Sequence, residues 1–306
     1  MYKSLPFKSY KGSSRNTITG RRLLGKKVRT VTGLKPFLKE GEKRCCIFSF
    51  ETATTWITVG DTMYQERFYR KFMRTQGLVQ FNVTEGESDL QIFSECYLEN
   101  EARMQLKKYR NEIFEYIEVH PEFLTSLVPL VPKNDAPKIV KHMCFAAETA
   151  GVGPMAAVAG ALSQYVGTAL AEYTDEIIIE NGGDIYMKNK TDKHVLIYAG
   201  NSPLSNKIAL LVPGENKPIG VCTSSGTVGH SLSFGKADAV VVISKDVLLA
   251  DAAATAVCNG VKGIDDLELG LNFAKSIPGI EGIVVIIRDK LGAWGNVSLV
   301  NPSTMK

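Results

Sequence analysis

Residues 176–188 read EIIIENGGDIYMK. Two short apolar segments flank Asn181-Gly182-Gly183-Asp184, and paired glycines tolerate the positive φ of a tight reversal. An Asn-Gly pair between such segments is a strong local signal for a β-hairpin. Hairpins join antiparallel neighbours, whereas parallel strands need a long crossover. The stretch therefore points away from a doubly wound nucleotide domain. The same glycines let a planar ring or a phosphate approach the backbone, so turn and binding loop both stay open for 181–184.

Working outward, Val195–Ala199 and Lys207–Val212 read as further strands between Gly-rich or polar turns. Ala239–Ser244 (AVVVIS) is a continuous apolar run, expected to be buried on both faces. Gly282–Arg288 and Asn296–Val300 are the last strands expected. Upstream, 78–83 (LVQFNV) alternates as a half-buried strand, with Asp89–Phe93 as its hairpin partner. Helical spacing runs from Asn100 to Val119 through Leu106, Tyr109, Ile113, Tyr116 and Ile117. His120-Pro121 breaks that helix, and PLVPKNDAP is a proline-punctuated connector. A helix over 136–150 ends at Gly151. A small-residue helix starts at Pro154, where the missing N–H costs nothing, and runs to Leu170. A last helix falls near Asp265–Ser276. Hairpin-linked strands with helices inserted in blocks predict an α+β fold.

The chain has 306 residues, 44% hydrophobic and 22% charged, an ordinary globular composition. No apolar run approaches the roughly 18 residues a membrane span needs. The net charge of +4 hides an asymmetry: residues 1–39 carry 11 Lys/Arg and no acid, leaving 25 basic against 32 acidic residues. An acidic body speaks against nucleic-acid binding. Residues 1–61 are basic, Ser/Thr-rich and aperiodic, and are expected to be a poorly ordered, non-catalytic leader. A transit peptide and an over-extended reading frame with its natural start at Met63 are alternative origins. Residues 62–306 are then the folded domain. Cys45, Cys46, Cys96, Cys144, Cys222 and Cys258 show neither metal-ligand nor disulfide-framework spacing, which suits a reducing cytoplasm. Cys222 reads as a packed residue at a strand end rather than a reactive thiol.

Residues 221–260, VCTSSGTVGHSLSFGKADAVVVISKDVLLADAAATAVCNG, hold the densest chemistry. A loop over Thr223–Gly235 offers phosphate oxygens the hydroxyls of Thr223, Ser224, Ser225 and Thr227. It adds the backbone N–H groups of Gly226 and Gly229. Asp251 and Thr255 stand four apart on an Ala-rich helix and project from one face. Carboxylate plus hydroxyl suits Mg²⁺, which takes its other ligands from water and phosphate. A capping Asp and a packed Thr are the plain alternative. His230 sits among small residues, as a donor, acid/base or orienter in such a loop or as a satisfied structural histidine. His120, His142 and His194 have no carboxylate, Cys or His at ligand spacing and are assigned no chemistry. Ser225, His230 and Asp251 supply hydrolase ingredients without a GxSxG elbow. Gly151-Val152-Gly153-Pro154 is either an anion-attracting helix start or a tight loop.

With HPEF (120–123), AGVGPMAAVAGAL (150–162), ENGGDIY (180–186), TSSGTVGHSLSFGKADAV (223–240) and ADAAATAVCN (250–259), the chain from about Tyr64 onward resembles an ApbE-like family. That family is distantly related to the FAD:protein FMN transferases. The resemblance implies an α+β, T-fold-like domain of mixed sheets packed with helices. It implies a flavin nucleotide, FAD or FMN, with Mg²⁺, and a protein acceptor whose Thr or Ser hydroxyl receives FMN. It places metal ligation on Asp251, Thr255 and the Ala156 carbonyl, and the Gly-Gly-Asp turn on Gly182, Gly183 and Asp184, beside Asn181. The family's histidine aligns with His230. The sequence departs from the pattern where the family's Lys becomes Ala157, and where HxxDPxTG is replaced by HSLSFGKAD. These changes remove a positive charge and an acidic group. Two readings follow. One is a Mg²⁺-dependent transferase of a flavin phosphoryl group to a protein hydroxyl. The other is a non-catalytic flavin-binding or accessory protein in anaerobic redox or sulfide-to-homocysteine assimilation, a role only the resemblance supplies. No nucleic-acid or membrane partner is expected, and the small-residue helices are compatible with a homodimer.

Overall fold

The computed structural model describes residues 77–228 and 233–304. The expected leader and two expected site residues, Gly229 and His230, lie outside the described residues. A hairpin of β1 (Val79–Glu85) and β2 (Ser88–Ser94) comes first. A helical block follows: α1 (Glu99–Val119), α2 (Glu122–Thr125), α3 (Lys138–Ala150) and α4 (Val158–Leu170). Next come β3 (Ile177–Asn181), β4 (Asp184–Lys188), β5 (Lys193–Leu196), β6 (Ala209–Val212), β7 (Pro218–Ser224) and β8 (Ala239–Ser244). After α5 (Val247–Gly260) and α6 (Leu267–Ser276) the described chain ends with β9 (Ile280–Ile287), β10 (Lys290–Gly295) and β11 (Ser298–Val300).

The main sheet runs β1-β2-β3-β4-β7-β8-β9-β10, and a second sheet runs β11-β6-β5. Every described pairing is antiparallel. The large sheet is thus a meander in chain order, with α1–α4 inserted between β2 and β3, and α5–α6 between β8 and β9. The α+β reading holds, with helices entering in blocks.

Both faces of that sheet are covered. Val240 and Val242 of β8, Ile283 and Val285 of β9, and Ile177 and Ile179 of β3 pack with the helices. Their neighbours Val241, Ile243, Val284, Ile286 and Ile178 pack instead with Leu210 and Val212 of the small sheet. Side chains alternate along a strand, so double coverage accounts for unbroken apolar runs in an antiparallel sheet, where one wet face is the commoner pattern.

Several boundaries differ from expectation. Pro154–Ala157 is a 3₁₀ turn rather than the first turn of α4. Strands expected at 195–199, 207–212 and 296–300 become β5, β6 and β11. β7 and β10 carried no clear signal, because Pro218 and Gly220 in one and Gly292 in the other weaken the strand pattern. The expected loop from Thr223 therefore begins later: Thr223 and Ser224 are the last residues of β7. Cys222 lies within β7, fully buried, rather than at its end. No single described helix is long and apolar enough to cross a membrane.

Candidate functional site

The site is built where α4 and α5 cross under the β3–β4 turn. Ala157, which precedes α4, provides no side-chain cap, so the first N–H groups of that helix need other acceptors. Asp251, the fifth residue of α5, provides one: its Oδ2 accepts from the Gly160 N–H at 2.8 Å, and the Ala159 N–H also bonds its carboxyl. The return tie is Gln164 of α4, whose Oε1 accepts from the Val247 N–H at 2.7 Å. Gly160 makes the crossing possible, since a Cβ there would lie 2.6 Å from the Val247 carbonyl oxygen and 2.9 Å from Asp251 Cβ.

The β3–β4 turn closes over this junction. Asn181 pairs with Asp184, and Gly182 and Gly183 between them have φ of 70° and 106°, the type I′ pattern. Asn181 Nδ2 donates to the Ala159 carbonyl at 3.2 Å. The buried Ser163 hydroxyl lies between two acceptors, the Ala159 carbonyl at 2.9 Å and the Asp184 carbonyl at 3.0 Å. Asp184 and Cys222 are cross-strand partners, so their side chains share the face that packs on the helices.

Two carboxyl groups are thereby buried together, Asp184 at 7% and Asp251 at 9% exposure. Burial pushes Asp184 well above the ordinary Asp value, and the neighbouring Asp251 and Glu180 charges add to the rise. The Cys222 thiol and the Thr223 N–H oppose it by hydrogen bonding. Burial raises Asp251 to about 7 against the pull of the Gly160 and Ala159 N–H groups. Asp184 Oδ1 has no hydrogen-bond partner. A buried anion is costly without a counter-charge or a proton, so the pair calls for one or the other. Among the described residues no group of three or more His, Cys, Asp or Glu could hold a metal ion. A cation here would need two carboxylates, a hydroxyl and a carbonyl, with water or phosphate completing the shell, which is Mg²⁺ chemistry rather than zinc chemistry.

Of the expected residues, Asn181, Gly182, Gly183, Asp184, Thr223 and Asp251 come together at this junction. Thr255 is half-buried, one turn after Asp251 on the same helix face. Ala156 lies in the turn that leads into α4, its N–H bonded to the Gly153 carbonyl at 3.0 Å. Ser224 instead meets Cys258 on α5. Ser225 and Thr227 use their hydroxyls internally: Ser225 Oγ accepts from the N–H groups of Thr227 at 3.1 Å and Val228 at 3.0 Å. Thr227 donates to Asp238 at 2.9 Å. Gly226 packs its backbone against Gly235, leaving no room for a side chain.

Sequence reasoning missed Gly160, Ser163 and Gln164, whose partners lie 91, 21 and 83 residues away. It also missed the partner of His142, whose Nε2 lies 2.9 Å from Asp246 Oδ2 across 104 residues. A capping signal was readable at Asp246, just ahead of α5. The remote partners had none.

The chain belongs to the AbpE bacteria family, whose model matches residues 70–275. It is 47% identical over 195 residues to UPF0280 protein MJ1526 of Methanocaldococcus jannaschii, covering 62% of this chain and 79% of that protein. It is 42% identical over 223 residues to a UPF0280 protein of Methanococcus aeolicus, covering 71% and 90%. Among solved structures it is similar to the Pseudomonas stutzeri flavinyl transferase ApbE in its apo form. That match has 14% identity and a TM-score of 0.45 over 71% of this chain and 93% of the other. The Vibrio cholerae flavin transferase ApbE gives 13% identity and a TM-score of 0.40 over 72% and 97%. The fold described above rests on the chain's own topology.

Proposed function

We propose, from membership in this family and from the chemistry of the α4–α5 junction, that the protein binds a flavin nucleotide together with Mg²⁺. The buried Asp184–Asp251 pair carries the reading, because its unpartnered oxygen and raised carboxyls suit a divalent cation. Asp251, Thr255 and the Ala156 carbonyl would hold the ion, with Asp184 beside them. The β3–β4 turn at Gly182 and Gly183 has no side chain to hinder a ligand that approaches its backbone. A divalent cation held there neutralises charge on a pyrophosphate. Transfer of a flavin phosphoryl group to a protein hydroxyl, with His230 orienting the acceptor, is the activity this reading favours. Ala157, in place of the lysine of the resembling transferases, favours a second reading, a non-catalytic flavin-binding protein.

Titration of the full chain with FAD, followed by flavin fluorescence in Mg²⁺ and in EDTA, tests the site. Tighter binding in Mg²⁺ is expected, and equal affinity in both would take the metal out of it. Release of AMP from FAD supports chemistry. Tight binding without AMP favours the second reading.

A further inference from the structure

We propose that Gln164 is the positioning residue of the site: its amide oxygen sets where Asp251 and Thr255 stand relative to the start of α4. This rests on the reading of those two residues as cation ligands. The first three N–H groups of α5 are served from two sources. Leu248 and Leu249 donate to Asp246, the residue that caps the helix locally, at 3.0 and 3.4 Å. Val247 donates to Gln164 on α4 at 2.7 Å.

A local cap decides whether a helix begins at a given residue. A cap reaching in from another helix decides where that helix sits along its neighbour. Gln164 stands four residues after Gly160, and Asp251 four residues after Val247. The Val247–Gln164 and Gly160–Asp251 bonds are therefore two rungs, one helical turn apart, between antiparallel helices. Gly160 brings the backbones too close for a side chain to act as spacer, so the rungs fix the register at this crossing. Without the Gln164 oxygen the Val247 N–H must find another acceptor. A slide or rotation of α5 that supplies one moves Asp251 off the Gly160 N–H and Thr255 with it. Asp246 moves with α5, and its bond to His142 ties it to α3 rather than to α4, so it restrains such a shift without setting the register on α4.

Gln164→Met keeps the length of the side chain and removes the acceptor, while Gln164→Glu restores an oxygen and places negative charge at a helix N-terminus, where it is favoured. Two measurements on the full-length chain separate the possibilities. Residue-resolved amide hydrogen exchange at Gly160, referenced to Val242 in β8, reports the position of Asp251 without any metal. Calorimetric titration with Mg²⁺ reports the site. In Gln164→Met, Gly160 exchange is expected to rise at least tenfold relative to Val242, and Mg²⁺ affinity to fall about tenfold, or 1.4 kcal/mol. Gln164→Glu should return both toward wild type. Gly160 and Val242 accelerating by the same factor, or Gly160 unchanged, overturns the positioning role, because Gln164 is then only a packing or stability residue. Selective Gly160 exchange in a chain whose wild type takes up no Mg²⁺ overturns the cation site while leaving the register role of Gln164 standing.

Discussion

At the start of α5, Asp246 accepts from the Leu248 and Leu249 N–H groups, so the cap comes from the residue next to the helix. At the start of α4, Ala157 has no side-chain oxygen, and the Gly160 N–H turns to Asp251, 91 residues away. Asp246 is partly exposed and keeps access to water, whereas Asp251 is buried beside a second buried carboxyl. Capping alone needs no such arrangement, since a Ser or Thr at the N-cap serves a helix start without burying charge. The α4 start is served by the Met155 carbonyl and by a remote, buried acid together, which is what the proposed role of Asp251 as a cation ligand would account for. Under the proposed function, the contrast between Asp246 and Asp251 is one of structure against site.

The largest effect expected is on the contact that lets the two helices meet. Gly160→Ala puts a methyl group 2.6 Å from the Val247 carbonyl oxygen, and should cost about 3 kcal/mol of stability, the upper end of overpacking penalties. Chemical denaturation measures it, and a loss below about 1 kcal/mol would mean the crossing is looser than the contrast requires.

Next is Asp251→Asn, which keeps an oxygen for the Gly160 N–H and removes a buried charge. Mg²⁺-dependent binding of FAD should weaken roughly 10- to 100-fold, or 1.4–2.8 kcal/mol, with the melting temperature unchanged or raised. A lower melting temperature with unaltered binding would make Asp251 a cap like Asp246.

The pH dependence follows in size. Asp251 titrates near 7 in the folded chain against about 3.9 for an unperturbed Asp, so the native state holds the extra proton. Its contribution is complete below the unfolded value and is lost as pH rises through 7. Between pH 6 and 8 the loss is about 1.4 kcal/mol for one such group. Thermal unfolding in EDTA should show a slope of this sign, and Asp251→Asn should reduce it, leaving the share that the buried Asp184 contributes. A slope of the opposite sign would mean that the carboxylate is stabilised as an anion.

The smallest effect belongs to Asp246→Ala. Loss of the local cap together with the partly exposed His142 contact should lower stability by about 1 kcal/mol and leave Mg²⁺ affinity unchanged, because Gln164 still holds Val247. Loss of Mg²⁺ affinity in this variant would erase the distinction between the two helix starts.

What the sequence determined was local. The alternation of 78–83, the continuous apolar run of 239–244, the Gly182-Gly183 reversal, the Gly151 stop and the helical spacing of 100–119 carried most elements and the α+β class, because each signal lies within a turn or two of backbone. Asp251 and Thr255 on one helix face, and Asn181 to Asp184 as a turn, were legible for the same reason. Strands β7 and β10 were not, since Pro218, Gly220 and Gly292 weaken the local pattern, and only pairing with other strands, β4 and β8 for β7 and β9 for β10, restores it. Tertiary structure alone decided that Asp184 and Asp251 share one buried space, that Ser225 and Thr227 spend their hydroxyls inside their own loop, and that Gln164 and Asp251 tie α4 to α5. Burial raises the carboxyls, and burial arises only where segments distant in sequence exclude water together.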